Sequence, residues 1–339
     1  MAINTEIKSP DSLSWWQSFI RRPEFLTLSL IIALSTIISI VSPSFLSVQS
    51  LFDLLRSTVR LGMFALGVLL VLAAGGIDVS FTAIGIVALY TTTKAVMAIA
   101  PNAPFILPLI MAVTIGVLLG LFNGFIVDRF RAPSLIVTIG TLYLFHGALL
   151  AFVGTKHITA LPAGMKKFGR SNLIEFVNSG GVKVALPTTV LVFALAALLT
   201  WWILNHTMMG RAIFAVGGSV PIADRLGISV RNVYLFIFGY AGFLAGLGGI
   251  MHGSSNRLAN PFDLVGGELD VIAAVVLGGA RITGGHGSVF GTVLGVILLV
   301  IIHNSLILVG IPSTWQKVVV GVIVLFASGM FSGVFSKSK

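Results

Sequence analysis

Ten stretches of this 339-residue chain are predominantly apolar and long enough to enter or cross a hydrocarbon layer: 25–41, 51–76, 81–100, 105–127, 133–153, 186–205, 233–251, 267–279, 288–309 and 315–335. A helix needs about 20 apolar residues to span a bilayer core. Inside that core every backbone N–H and C=O must be paired by the protein itself, which leaves helices or closed barrels. Barrel strands alternate apolar and polar residues, whereas these runs are continuous. The expected fold class is therefore an all-α polytopic membrane protein, with about ten transmembrane or partly membrane-embedded helices. Only 9% of residues are charged, against about a quarter in a soluble domain, so too few polar side chains remain to cover a water-facing surface.

The formal charge of +10 does not point to nucleic acid, because no basic run exceeds two residues. Scattered bases suit topology and anionic headgroups of a lipid bilayer. Cysteine is absent, which excludes disulfides and thiolate chemistry. The first apolar run is too long for a signal-peptide core and has no A-x-A site behind it, so it reads as a retained helix. Residues 1–24 form a polar lead whose Trp15, Trp16, Arg21 and Arg22 suit a cytoplasmic, interfacial segment. The membrane domain then covers 25–335, with a tail at 336–339. Ten segments with both ends inside put 207–232 in the cytoplasm and the long polar connection 154–185 outside. Arg56 and Arg60 near the start of the second run imply snorkelling or an interfacial beginning.

Two glycine-acid signatures echo each other: Gly75-Gly76-Ile77-Asp78-Val79 and Gly266-Gly267-Glu268-Leu269-Asp270-Val271. Gly116 to Gly120 is echoed by Gly291 to Gly295. Five spans per copy is an odd number, so the copies would be inverted, a plan common among transporters. A diglycine followed by an acid can break a helix and free its backbone to line a cavity, and an acid at membrane depth is a functional candidate. Asp78 can equally be a helix cap. Glu268 and Asp270 either complement a helix dipole or line the mouth of a path. Glycines at every fourth position (116, 120, 124; 242, 246; 287, 291, 295) put small residues on one helix face and allow close backbone approach. Asn123 beside them supplies an interhelical hydrogen bond or a polar contact to a pore. The candidate lining residues are thus Asp78, Asn123, Thr138, Glu268 and Asp270.

No G-x-x-x-x-G-K-[ST] occurs, so the chain is not expected to hydrolyse ATP. No Ser/His/Asp arrangement stands out, and no His lies at ligand spacing from the acids, so neither catalysis, a metal nor a cofactor is expected. His146 and His303 read as core histidines. The segment 207–232 carries Arg211, Asp224, Arg225 and Arg231 between two apolar runs. It is too polar for hydrocarbon and too short for a domain, which makes it a handle for a soluble partner.

Five motifs in order resemble the permease subunits of bacterial ATP-binding-cassette importers for monosaccharides: AAGGIDVS at 73–80, GLFNGFIVDRFRAPSLIVTIGT at 120–141, GRAIFAVGGSVPIADRLGISV at 210–230, GGELDVIAAVVLGGARITGGHGSVFGTVLG at 266–295 and WQKVVVG at 315–321. The resemblance implies an inner-membrane permease that works with cytoplasmic ATPase subunits, a second permease subunit and a periplasmic sugar-binding protein. It also makes 217–230 similar to the cytoplasmic coupling loop of such permeases, with Pro221, Ile222, Ala223, Asp224, Arg225, Leu226 and Gly227 as the segment gripped by the ATPase. A short helix would present the small face of Ala223 to the ATPase, and Gly227 would end it in a left-handed conformation. The chain departs from the family where Pro221 and Ile222 replace the usual acid and alanine, where Phe81 replaces a glycine, and where His146 replaces an arginine. The competing class is a secondary transporter of a small polar solute driven by an ion gradient, which would bury an ionisable pair at mid-membrane; here the acids cluster near segment ends.

Overall fold

A computed structural model describes residues 23–177 and 180–308, with isolated positions 315, 318, 321 and 322 beyond them. The expected lead 1–24 falls almost wholly outside the described residues. So do most of the tenth segment, 315–335, and the tail 336–339. Among the described residues, seven helices are long and apolar enough to cross a membrane. They are α1 (Pro23–Val41), α2 (Val48–Ala73), α3 (Phe81–Ile99), α4 (Ile106–Phe130), α5 (Ser134–Ala148, continued by a π-helical turn to Val153), α7 (Thr188–His206) and α10 (Val230–Asn256). The other described α-helices are α6 (Ala163–Phe168), α8 (Met208–Gly218), α9 (Val220–Arg225), α11 (Glu268–Leu277) and α12 (Val289–Leu308).

Three helix starts follow hydroxyl caps, which satisfy amides that a helix end leaves open. Ser47 accepts from the Ser50 N–H at 3.1 Å before α2, Thr207 from Gly210 at 3.1 Å before α8, and Ser229 from Asn232 at 3.4 Å before α10. The eighth segment is a half-length helix of 10 residues, about 15 Å at 1.5 Å per residue, because Gly278 and Gly279 stop it. Its end lies beside the start of α1: Thr27 Oγ1 donates to the Leu277 carbonyl, and the Ser288 hydroxyl to Glu24.

The all-α expectation needs one correction. Within the connection 154–185 the chain forms an antiparallel hairpin, β1 (Asn172–Val177) with β2 (Lys183–Pro187), in which Glu175 faces Ala185. Its bend contains Gly181 at φ 75°, and a Lys183–Glu175 ion pair lies across the hairpin. That pairing holds the Glu175 carboxyl below its ordinary range.

α10 is the hub of the bundle, packed against α4, α2 and α3. Its glycines allow this. A methyl group on Gly242 would strike the Gly116 carbonyl oxygen, and one on Gly120 would strike the carbonyl of Phe238. Gly246 meets the Ala112 carbonyl in the same way, and Gly249 that of Gly85 on α3. The four-residue spacing thus has its predicted effect: backbone lies on backbone, in a setting where lipid provides no hydrophobic drive for helix association. Gly291 and Gly295 do the same on α12, but against Gly278 and Ala274 of α11.

This packing makes a contrast between two glycines testable. Gly242→Ala is expected to destabilise the detergent-solubilised chain by about 1–3 kcal/mol through overpacking. Gly140→Ala on α5, where an added methyl meets nothing within 4 Å, is expected to be neutral or slightly stabilising. Thermal unfolding of both variants checks the pair.

Candidate functional site

The first signature is a true break between two helices. α2 ends in a Schellman turn, with the Gly75 N–H on the Leu72 carbonyl at 2.8 Å and the Gly76 N–H on that of Val71 at 2.9 Å. Gly75 has φ 80°, the left-handed region that such a turn requires at this position. The chain then runs without helix until Phe81, and side chains from other helices answer its backbone. The Ile77 N–H donates to Ser134 Oγ at 2.8 Å and the Val79 N–H to Thr138 Oγ1 at 3.3 Å, while the Thr138 hydroxyl donates to the Ile77 carbonyl at 3.2 Å. Asp78 Oδ1 accepts from both the N–H and the hydroxyl of Ser80, each at 2.7 Å, which closes an Asx turn ahead of α3. Asn123 on α4 donates to that same Ser80 hydroxyl at 2.7 Å.

Three of the five candidate lining residues therefore meet, although they lie far apart in sequence. In this conformation Asp78, Asn123 and Thr138 are buried and fasten the break to α4 and α5; none of them is on the wall of the large cavity. Here the Asp78 carboxylate is turned to Ser80 and not to the cavity, and the residue directly preceding the helix is Ser80. Ser134 and Ser80 complete the cluster. Their only signal in the sequence is a hydroxyl at the head of an apolar run.

The second signature lies at the foot of that cavity. The Thr82 hydroxyl, in the first turn of α3, donates to the Glu268 carboxylate, in the first turn of α11. Glu268 also accepts from the Gly266 N–H at 3.0 Å. The starts of two helices on either side of the chain's midpoint are thus tied by one carboxylate, where both helix dipoles favour negative charge. Above them opens a cavity of about 1110 Å³, lined by Thr82, Gly267 and Asp270 below, by Arg56 and Arg60 of α2, by His252 and Asn256 of α10, and by residues of the hairpin. Asp270 sits on its wall, whereas Glu268 fastens its floor. Arg56 and Arg60 open into this cavity from a helix that begins at Val48, which explains how charges are accommodated in an otherwise apolar segment. Of the two histidines expected in the core, His146 is satisfied by the Pro261 carbonyl at 2.9 Å, but His303 lines the cavity. His252 Nε2 lies 2.6 Å from Asp263, and this hydrogen bond holds the Asp263 carboxyl below its ordinary value.

The third element is the expected handle. α9 is a short helix closed by a second Schellman turn: the Gly227 N–H donates to the Asp224 carbonyl at 2.9 Å and the Ile228 N–H to that of Ala223 at 3.1 Å. Gly227 sits at φ 81° with open space around it, so the left-handed ending predicted there is present. The expected direction of Ala223 is corrected. It is 1% exposed and faces the protein, because a small residue there lets α9 lie flat on its neighbours. The outward surface consists of Pro221, Ile222 (59% exposed), Asp224, Arg225 and Leu226 (73% exposed).

A bundle of apolar helices with a broken span, a polar cavity and a short outward-facing helix defines a class: membrane transport proteins. Comparison with known proteins narrows it. Residues 50–328 match the family described as the branched-chain amino acid transport system permease component. The ribose import permease protein of Bacillus subtilis (strain 168) is 34% identical over 293 residues, covering 86% of this chain and 87% of its own length. The ribose import permease protein of Escherichia coli (strain K12) is 30% identical, covering 88% and 90%. The autoinducer 2 import system permease protein of Enterobacter sp. (strain 638) is 34% identical, covering 87% and 82%. No solved structure matches. The chain belongs to this permease family and is the transmembrane permease subunit of an ABC importer.

The break makes a prediction that separates its two possible uses of Asp78. Asp78→Asn keeps an acceptor for Ser80 and is expected to fold normally. Asp78→Ala leaves a buried N–H and hydroxyl unanswered and is expected to cost about 1–3 kcal/mol. Thermal melts of the purified variants read the difference.

Proposed function

We propose that this permease carries a monosaccharide or a solute of similar size and polarity inward across the bacterial inner membrane, driven by ATP hydrolysed on separate cytoplasmic subunits. The observation that carries the reading is identity of 30–34% along almost the whole chain to import permeases, several of them named for ribose. The cavity supports it: polar groups dominate its wall, and it has room for a hydrated sugar. No single residue there need bind tightly, because a path must release its cargo. Specificity then rests with a periplasmic sugar-binding protein, which the 154–185 connection and its hairpin face from outside.

The working unit would be two permease subunits, alike or paralogous, with two ABC ATPases below. Both chain termini would lie in the cytoplasm, and 217–230 would be the coupling loop. ATP binding would draw the two ATPases together and pull on α9 through Pro221, Ile222, Asp224, Arg225 and Leu226. The bundle would then pass between outward- and inward-facing arrangements. Asp78, Asn123, Thr138, Glu268 and Asp270 would form the polar groups exposed in turn along the path. The architecture would be an inverted repeat completing about ten helices. The packing favours this: α10 lies against α3 and α4 as α2 lies against α11 and α12, and the break before α3 has its counterpart in the Gly266 turn before α11.

Two outcomes test the proposal together. A soluble ATPase should co-purify with the chain, and uptake of ribose or a related aldose by reconstituted vesicles should require ATP. Gly227→Val forces a β-branched residue into φ 81°, a strain of about 1–3 kcal/mol confined to the end of α9. It should lower uptake while the membrane domain remains folded. Uptake that persists without ATP would refute the importer reading.

A further inference from the structure

Between the outward helix α9 and the broken helix lies a joint made almost wholly of backbone. Gly217, the next-to-last residue of α8, lies so close to the last turn of α2 that a methyl group on it would strike the Ala73 carbonyl oxygen and stand 2.6 Å from the Gly285 nitrogen. The Gly285 N–H donates to that same Ala73 carbonyl at 2.9 Å, so the loop between α11 and α12 enters the contact as well. A methyl on Gly284 would stand 2.6 Å from the Gly217 carbonyl and 2.7 Å from the Gly75 Cα. Gly75, Gly284 and Gly285 all hold positive φ, at 80°, 88° and 74°, so each is in a conformation that glycine adopts without strain.

The three elements meeting here have different destinations. α8 leads through Ser219 into α9. Ala73 leads through the Schellman turn into the break held by Ser134, Thr138 and Asp78. The 281–286 loop leads back to α11, whose first turn holds Glu268 at the cavity floor. Contacts between long side chains absorb displacement by changing rotamer; a contact between backbones has no such slack. A displacement of α8 is therefore passed directly to both halves of the molecule.

We infer that Gly217 is a positioning residue for transport, the point at which motion of α9 is transmitted at once to the break after α2 and to the loop before α12. This rests on the importer reading above, and it adds a residue outside the gripped segment. The neighbouring Gly218 provides an internal control, since a methyl there meets nothing within 4 Å.

The test uses the complete importer in proteoliposomes and reads ATP hydrolysis and sugar uptake in parallel. Gly217→Ala should still assemble with the ATPase and keep its hydrolysis within about twofold, but lose uptake by about tenfold or more, in the range of ordinary coupling energies. Gly218→Ala should keep both activities. Uptake by Gly217→Ala within about twofold of the unmodified importer, on the same coupling scale, overturns the inference. If Gly217→Ala does not fold, a second measurement decides. In the cysteine-free chain, spin labels at Gly218→Cys and Ile282→Cys flank the joint from open positions. Their separation should be the same with and without bound nucleotide, and a separation that changes between the two states overturns the inference. Failure of the unmodified chain to assemble with any ATPase would count against the importer reading and leaves a distinct signature, because no variant is involved.

Discussion

A helix interrupted inside a bilayer leaves backbone amides and carbonyls that no water can reach, and the protein must answer every one. The interruption at 76–80 is answered from three directions. Ser134 and Thr138 on α5 take the amides of Ile77 and Val79, Asp78 takes that of Ser80, and Asn123 on α4 fixes the Ser80 hydroxyl. Each of these helices must be near enough for a short side chain to reach. The glycine faces of α4 and α10 secure that closeness for α4, and α3 is drawn in by Gly85 against Gly249. Close packing and polar satisfaction are thus one constraint seen from two sides.

That constraint also explains the division of labour along the chain. A break held by four hydroxyl, amide and carboxylate side chains is a discrete arrangement, suited to exchange for another discrete arrangement rather than to gradual loosening. Next to the cavity residues Thr82 and Gly267, one carboxylate, Glu268, bridges the starts of α3 and α11. Displacing the two helices with respect to each other must break or re-form that contact. A small number of strong, localised polar contacts inside a rigid apolar frame is what a device that alternates between two states requires.

The sequence made the apolar runs legible because hydrocarbon imposes length and continuity on them, and the glycine faces legible because spacing of four is a property of the helix itself. It made Gly227 legible as a left-handed helix ending for the same local reason. What it hid depended on distance. That Asp78, Asn123 and Thr138 meet in one sealed cluster is a tertiary fact, so they read equally well as groups lining a path. The outward or inward direction of Ala223 turns on how α9 lies on its neighbours, which small-residue patterning leaves open. The hairpin 172–187 is hidden because β1 is exposed along its whole length and β2 buries Val184 beside three half-buried residues, so neither strand shows the alternation that marks a half-buried strand. The half-length of α11 is written in Gly278 and Gly279, but glycine pairs are common enough in this chain that only the packing distinguishes a stop from a close contact.

We propose that this polypeptide supplies a route through lipid and receives its drive through α9 on the cytosolic side. Because the chain contains no cysteine, a single Leu226→Cys substitution at an outward-facing position reports its own surroundings without background. A membrane-impermeant thiol reagent should leave that cysteine unlabelled in intact cells, label it in inside-out vesicles, and be blocked there when the ATPase subunits are bound. Labelling of Leu226→Cys from outside intact cells would contradict the account.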